Sequence, residues 1–317
     1  MFRLIPPDTK INFIGQWRIC AAISTILTLV VVASYIFHGG LKYGVDFVGG
    51  TLMQVKFDKP ADLARLRSMI GAMNVGDFSI QEFGKPESVL IHLSKAEEVA
   101  NETETTAMKV ENAMAEEFAK SFVVERVEAV GPKVGADLKE KALLAIFYSL
   151  TGILLYITLR FEFKFGVAAI IATGHDTIVT VGAFSLLDKE ITLTVVAAFL
   201  TVIGYSLNDT VVVFDRIREN LRLRRGMELR EILNISINQT LSRTTLTSGV
   251  TLLTVFSLFF LGGEVIHDFA FALIVGIVIG TYSSIYVASP IVMLWTEMEK
   301  TKRQRALASG AGKKAKI

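Results

Sequence analysis

The chain has 317 residues, of which 51% are hydrophobic, and its formal net charge is only +2. The mean hydropathy is positive, at +0.49, and the apolar runs are far longer than the strands of a buried core. These values exclude an ordinary soluble enzyme and indicate a protein that crosses a membrane. The single cysteine, Cys20, excludes an internal disulfide and is expected to pack as a small apolar residue.

Six apolar runs are long enough to cross a membrane. A bilayer core of about 30 Å needs roughly 20 apolar residues for each spanning helix. We predict spans at 19–38, 142–160, 165–187, 192–214, 241–262 and 268–295. Pro290 predicts a kink in the last span, or an exit from the hydrocarbon near that residue. We expect no cleavable signal peptide, because the first run is long enough to stay as a span.

Basic residues predict the orientation of these spans. They concentrate in four segments that lie on one side of a six-span topology: 1–18, 160–164, 215–240 and 296–317. Since basic residues favour the cytoplasmic side, we expect both termini in the cytoplasm. The segment 215–240 is predicted to be a cytoplasmic amphipathic linker, in which residues 221–242 form a helix that lies on the membrane surface and touches anionic lipid or a docked partner. The basic tail 296–317 is expected to be disordered.

The segment 39–140 is polar, rich in acidic residues and expected outside the cytoplasm. Its pattern predicts two helices and four strands, at 51–57 (strand), 60–72 (helix), 78–83 and 88–94 (strands), 101–119 (helix) and 122–129 (strand). The order βαββαβ is that of a ferredoxin-like α+β domain. We find no catalytic constellation or metal-ligand cluster in it, because His92 is isolated on a strand.

Glycine-rich elements bracket this domain. Paired glycines permit positive φ and tight turns, so both elements are interpreted as structural hinges between a helix and the domain. The first contributes Gly44, Asp46, Phe47, Gly49 and Gly50, and the second contributes Gly131, Pro132 and Gly135.

Four motifs together resemble one family. In chain order they are GVDFVGGT, VGPKVG, YSLNDTVVVFDRIREN and SINQTLSRTTLTSGVTLL. Their order and their places between the spans closely resemble the SecF family of protein translocase subunits, part of the SecD/SecF family in the RND superfamily. The similarity covers essentially the whole chain.

This resemblance implies a function in protein export across the bacterial cytoplasmic (inner) membrane. It implies six helices that pair with SecD to make a twelve-helix unit, which associates with the SecYEG channel and often with YajC. The unit would use the proton-motive force to move an unfolded polypeptide through late steps of translocation. Neither covalent catalysis nor a cofactor, metal or nucleic acid is implied.

The resemblance also assigns Asp209 and Arg243 to proton coupling. An ionised side chain in the bilayer core costs at least about 2.5–3.5 kcal/mol, so such a group usually faces a partner, a cavity or an ion path. Burial disfavours the charged carboxylate and a nearby guanidinium favours it, and a balance between them lets Asp209 alternate between two protonation states. The alternative is a static ion pair that holds spans four and five together.

A second ionisable pair, His175 and Asp176, lies near the middle of span three. Neighbours on a helix project about 100° apart, so we expect no direct relay between them. One of the two is expected to face span four at Asn208 or Asp209, either on a proton path or as a hydrogen-bonded helix contact. Ser206, Asn208 and Thr210 are expected to support the path by hydrogen bonding.

Two rival functions remain open from the sequence. A half of an RND-like exporter of small molecules or lipids predicts an apolar pocket in a large exported domain. A purely structural scaffold for the partner subunit predicts that neutralising Asp209 has no effect on transport.

Overall fold

The computed structural model describes residues 6, 9–73, 75–94, 100–119, 121–224 and 226–314. The chain forms two compact units. The first, a helical bundle, comprises Met1–Gly40, Ile146–Asp188 and Ala197–Ile317, and the second, which contains the sheet, comprises Leu41–Ala145 and Lys189–Val196.

The helices and strands follow one another in a simple order. A 3₁₀ turn at Ile14–Gln16 precedes α1, and a π-helical turn at Ser284–Ala288 joins the last two helices. The helices are α1 Trp17–Phe37, α2 Val45–Val48, α3 Leu63–Ala72, α4 Ala100–Glu117, α5 Pro132–Arg160, α6 Phe163–Leu186, α7 Leu193–Leu223, α8 Leu229–Leu261, α9 Glu264–Ser283 and α10 Ser289–Lys314. The strands are β1 Gly50–Phe57, β2 Phe78–Phe83, β3 Lys85–Leu93 and β4 Phe122–Val130.

Within the described residues, six helical stretches are long and apolar enough to cross a membrane. They are Ile14–Phe37, Pro132–Arg160, Phe163–Leu186, Leu193–Leu223, Leu229–Leu261 and Ile266–Leu307. This result confirms the predicted class of fold, a six-helix membrane bundle with an α+β domain between its first two spans. The protein is therefore a multi-pass membrane protein.

The α+β domain has the predicted βαββαβ order. Its strands form one sheet in the order β2-β3-β1-β4, and every neighbouring pair is antiparallel. Alternate residues of β1 enter the core, because side chains on a strand alternate between the faces of the sheet. Met53 and Val55 are fully buried there and pack with Leu66 of α3 and Val110 of α4. This is the ferredoxin-like arrangement.

The prediction of a surface helix at 221–242 is wrong. Residues 215–223 complete α7 and residues 229–240 begin α8, with Gly226 at a φ of 96° between the two helices. The apolar stripe Leu229, Leu233 and Ile237 is buried in the bundle core, beside Ile217 of α7. The stripe packs against protein because neighbouring long helices bury it completely, whereas a membrane surface would bury it only in part.

The tail also differs from its prediction as a disordered segment. Helix α10 continues to Lys314, and residues 315–317 lie outside the described part of the chain. The irregularity expected near Pro290 takes the form of the π-helical turn just before it. Proline lacks an N–H group and its ring crowds the carbonyl four residues earlier, so a wider turn relieves both problems. The Ser289 hydroxyl donates to the Ser284 carbonyl, 3.0 Å away.

Small residues bring the bundle helices close together. Gly276 and Gly280 lie one turn apart on α9 and face Val202 and Ser206 of α7. A Cβ atom added at Gly280 would lie 3.0 Å from the Ser206 Cβ, and one added at Gly276 would clash with Val202. Such pairs of small residues let membrane helices approach closely.

Gly276→Ala is therefore expected to destabilise the bundle, by about 1–3 kcal/mol, because the new methyl group overpacks the α7–α9 contact. The control is Gly249→Ala on α8, where an added Cβ meets nothing within 4 Å. That change should be neutral or stabilising by up to about 1 kcal/mol, since alanine favours helices. Thermal unfolding of the two purified variants in detergent measures the difference, and equal melting temperatures would contradict the close approach.

Candidate functional site

Two carboxylates are buried among the bundle helices. Asp176 of α6 is 0% exposed and Asp209 of α7 is 2% exposed. A buried charge is costly unless other groups pair with it or hydrogen-bond to it. The partners of each carboxylate therefore show what it can do.

Asp176 is held by three donors from three segments. The hydroxyls of Ser206 and Ser283 both donate to its Oδ2, at 2.5 and 2.6 Å, and His175 Nδ1 lies 3.0 Å from Oδ1. Two sequence predictions are corrected here. Adjacent side chains can rotate toward each other although their Cβ atoms diverge, so His175 and Asp176 do bond. The partner on α7 is Ser206, rather than Asn208 or Asp209.

Asp209 has a sparser set of partners. The Ser248 hydroxyl of α8 donates to its Oδ2 at 3.2 Å, and Ser248 in turn shares a 2.8 Å hydrogen bond with Thr281 of α9. Ser206 and Asp209 are three residues apart on α7 and so lie on one face of that helix. The two carboxylate networks thus share helices α7 and α9.

Several buried polar atoms near the carboxylates lack a partner among the described residues. They are Oγ1 of Thr173, Thr210 and Thr244, and Nε2 of His175. Buried hydroxyls of this kind normally bond to water. Thr210 was expected to support the path by hydrogen bonding, but among the described residues its hydroxyl makes no such bond. Asn208 is exposed and does not join either network.

Among the described residues, Arg243 makes no hydrogen bond to Asp209. Among the ion pairs of the described residues, none within 4.0 Å joins the two side chains, so the static pair considered above is absent. Arg243 is exposed and lines a cavity of about 270 Å³ together with Tyr156, Arg160, Phe161, Val211, Val212 and Asp215.

The two glycine-rich elements meet at the base of the α+β domain, which we call the domain root (residues 42–50, 130–139 and 191–193). Gly49 and Gly50 have φ values of 79° and 114°, which favour glycine. A Cβ at Gly135 would lie 2.8 Å from the Phe47 carbonyl oxygen, and one at Gly49 would lie 2.8 Å from the Pro132 Cα. Gly131 has neither a positive φ nor a close neighbour, and nothing in the structure requires glycine there.

The domain root contains a third segment that the sequence analysis missed. The Gly44 N–H donates to the Ile191 carbonyl at 2.9 Å, and the Ile191 N–H donates to the Lys42 carbonyl at 2.8 Å. The Leu193 N–H donates to Asp46 Oδ2 at 2.8 Å. The sequence contains one sign of this contact. Residues 193–196 begin a long helix, and none of them is an acidic residue that could interact with the helix N-terminus.

The fold and the buried carboxylates define a multi-pass membrane protein of the transport type. Within the described residues, no group of three His, Cys, Asp or Glu side chains could hold a metal ion. Residues 109–298 match the family described as protein export membrane protein SecD/SecF, C-terminal, and residues 35–61 match the SecD/SecF GG motif. The chain belongs to the SecF family of protein translocase subunits.

Relatives and solved structures agree with this assignment. The SecF subunit of Calditerrivibrio nitroreducens is 48% identical over 94% of this chain and 98% of its own. That of Pseudomonas aeruginosa is 41% identical over 91% of this chain and 92% of its own. The crystal structure of SecDF from Thermus, a translocon-associated membrane protein, is 37% identical with a TM-score of 0.82. The similarity covers 92% of this chain and 39% of the SecDF chain, so this chain spans less than half of that protein.

Asp176→Leu is expected to destabilise the bundle by about 1–3 kcal/mol for each hydroxyl left buried without a partner. Asp176→Asn should cost less, because its amide oxygen still accepts a hydrogen bond. Thermal unfolding in detergent measures both, with Asp215→Asn as the control at an exposed carboxylate. A leucine variant as stable as the control would show that the Asp176 network contributes nothing to helix packing.

Proposed function

We propose that this chain is a proton-coupled subunit of a protein translocase and that it works with SecD. The family assignment supports the export function, and the relation to SecDF supports the partner. The similarity covers 39% of the SecDF chain, and we propose SecD as the subunit that corresponds to the other part of that protein. By the same family resemblance, the SecYEG channel and YajC are further proposed partners, and the cargo is an unfolded polypeptide.

The observation that carries the proton assignment is the contrast between the two buried carboxylates. Asp176 accepts from three donors, so a change in its protonation would break contacts among α6, α7 and α9. Within the described residues, Asp209 accepts a hydrogen bond from Ser248 alone, at 3.2 Å, and the hydroxyl of the next residue, Thr210, has no partner. We assign the moving proton to Asp209, and to Asp176 and His175 a supporting role that fixes the helices around it.

Protonation of Asp209 would change the contacts between helices. The ionised carboxylate can only accept hydrogen bonds, whereas the protonated form can also donate one. Because Ser248 links Asp209 to Thr281, the change would bias the packing of α7 against α8 and α9. One charge that crosses 100 mV is worth about 2.3 kcal/mol, which suffices to shift such an equilibrium. Arg243 would act as the fixed positive charge, because arginine stays protonated.

The scaffold alternative remains the rival to this proposal. It would treat Asp209 as one more polar contact between helices and would need no proton. The missing ion pair between Asp209 and Arg243 counts against the version of it in which a salt bridge locks α7 to α8.

Asp209→Asn is expected to abolish the stimulation of polypeptide translocation by the proton-motive force, because asparagine cannot take up and release a proton. The measurement uses inverted vesicles that contain the chain assembled with SecD and SecYEG. Glu219→Gln is the control on the same helix, since Glu219 forms an exposed pair with Arg216 that is worth about 0–1 kcal/mol. Normal stimulation in an assembled Asp209→Asn complex would leave the scaffold function in its place.

We further propose that both termini are cytoplasmic and that the α+β domain is exported. In a Cys20→Ala background, Met108→Cys places a thiol on α4 of the α+β domain, and Lys302→Cys places one on the basic helix α10. Both positions are exposed. A membrane-impermeant maleimide added to spheroplasts should label the first cysteine and spare the second until the membrane is permeabilised. The reverse pattern would invert the topology.

A further inference from the structure

We propose that Asp46 is a positioning residue that joins the α+β domain to helix α7, so that movement of α7 reaches strand β1 through a fixed contact. This inference rests on the proposed function, because it takes the movement of α7 from the protonation of Asp209. The role differs from the hinge expected from the glycines, since a hinge would separate the two motions and a fixed contact transmits them.

The backbone around Asp46 is already paired with the segment that leads into α7. Tyr43 and Ile191 form a parallel β-bridge, with hydrogen bonds from Gly44 to Ile191 and from Ile191 to Lys42. A Cβ at Gly44 would lie 3.0 Å from the Thr192 side chain, so the two segments are in direct contact. The pairing sets the distance between Asp46 and the first turn of α7.

Asp46 completes this pairing at the start of α7. The first N–H groups of a helix have no partner within the helix, and the positive end of the helix dipole attracts a carboxylate. Asp46 Oδ2 accepts from the Leu193 N–H at 2.8 Å, while Thr192 Oγ1 accepts from the Val195 N–H at 3.3 Å. Asp46 thus supplies from α2 the negative charge that the first turn of α7 lacks.

The other side of α2 is fixed to the beginning of α5. Lys139 Nζ lies 4.0 Å from the centroid of the Tyr43 ring, and the Tyr43 ring contacts that of Phe47 edge-on. Gly135 packs against the Phe47 carbonyl. The single turn α2 therefore contacts the N-terminal parts of both α5 and α7, and Gly49 and Gly50 lead from it directly into β1.

The mechanical consequence follows from the stiffness of a helix. Helix α7 runs without interruption from Leu193 to Leu223 and carries Asp209 sixteen residues after Leu193. A shift or rotation of α7 therefore displaces the Leu193 N–H, and Asp46 moves with it. From Asp46 only four residues lead to the first residue of β1, which leaves little chain to absorb the motion.

The first test replaces Asp46 in the full chain assembled with SecD and SecYEG. We expect Asp46→Ala to reduce translocation driven by the proton-motive force by on the order of fivefold, the size expected from loss of a helix cap. Asp46→Asn should retain most of the activity, because its amide oxygen can still accept from the Leu193 N–H. Full activity of Asp46→Ala, or an Asp46→Asn variant as impaired as Asp46→Ala, would overturn the proposal.

The second test does not depend on how well Asp46→Ala folds. In a Cys20→Ala background, Tyr43→Cys and Ile191→Cys place two thiols at a bridged pair, where the spacing of paired strands suits a disulfide. We call the contact between residues 43–46 and 191–193 the joint. If the joint stays closed during transport, the oxidised and reduced forms should translocate equally. If the disulfide blocks transport and a reductant restores it, the joint must open and the proposal is wrong.

The same disulfide in an Asp46→Ala background should recover the lost activity when oxidised. Failure to recover would show that Asp46 acts otherwise than by joining the two segments. Asp209→Asn, measured in parallel, separates the two proposals. If Asp209→Asn is active while the Asp46 results hold, the joint stands and the assignment of the proton to Asp209 fails.

Discussion

A carboxylate inside a helical membrane bundle depends on hydrogen-bond donors from the surrounding helices, because a buried charge without such donors is costly. Asp176 meets this requirement with the hydroxyls of Ser206 and Ser283. Serine has a short side chain, so its helix must come close for the bond to form. Gly280 allows that approach, because a side chain there would place its Cβ only 3.0 Å from Ser206. The Asp176 network and the close approach at Gly280 thus hold α6, α7 and α9 together at one point.

The same requirement explains why two acidic residues of similar burial are suited to different tasks. Three donors, from three segments, hold Asp176 in place, and any change in its charge would disturb all of them. Asp209 has a longer bond to Ser248, and among the described residues the hydroxyl of the next residue, Thr210, has no partner. A group can change its protonation at low cost only where the surrounding dipoles are not already fixed in one orientation. The contrast is a property of the packing and is not visible in either residue's immediate sequence.

Much of the fold could be predicted from local patterns. Strands β1 to β4 lie within a few residues of the predicted ranges, because each is a short run rich in apolar, β-branched and aromatic residues. The six spans follow from length and hydropathy. The prediction for the linker 215–240 failed because an amphipathic stripe indicates burial but does not show whether lipid or protein covers it. The bond between His175 and Asp176 was not predicted, because helical periodicity describes the directions of the Cβ atoms and not the rotation of the side chains.

Contacts between distant segments explain what remained out of reach at the site. Asp46 and Leu193 are separated by 147 residues, and only the folded chain shows that one binds the other. The glycines correctly indicated where the domain root lies, but they did not show whether it is flexible or rigid. At Gly135 a side chain would strike the Phe47 carbonyl. At Gly44 a side chain would crowd Thr192 in the neighbouring segment. Glycines that permit close contact make a joint stiffer, whereas glycines that permit free rotation make it looser, and the sequence alone does not distinguish these two uses.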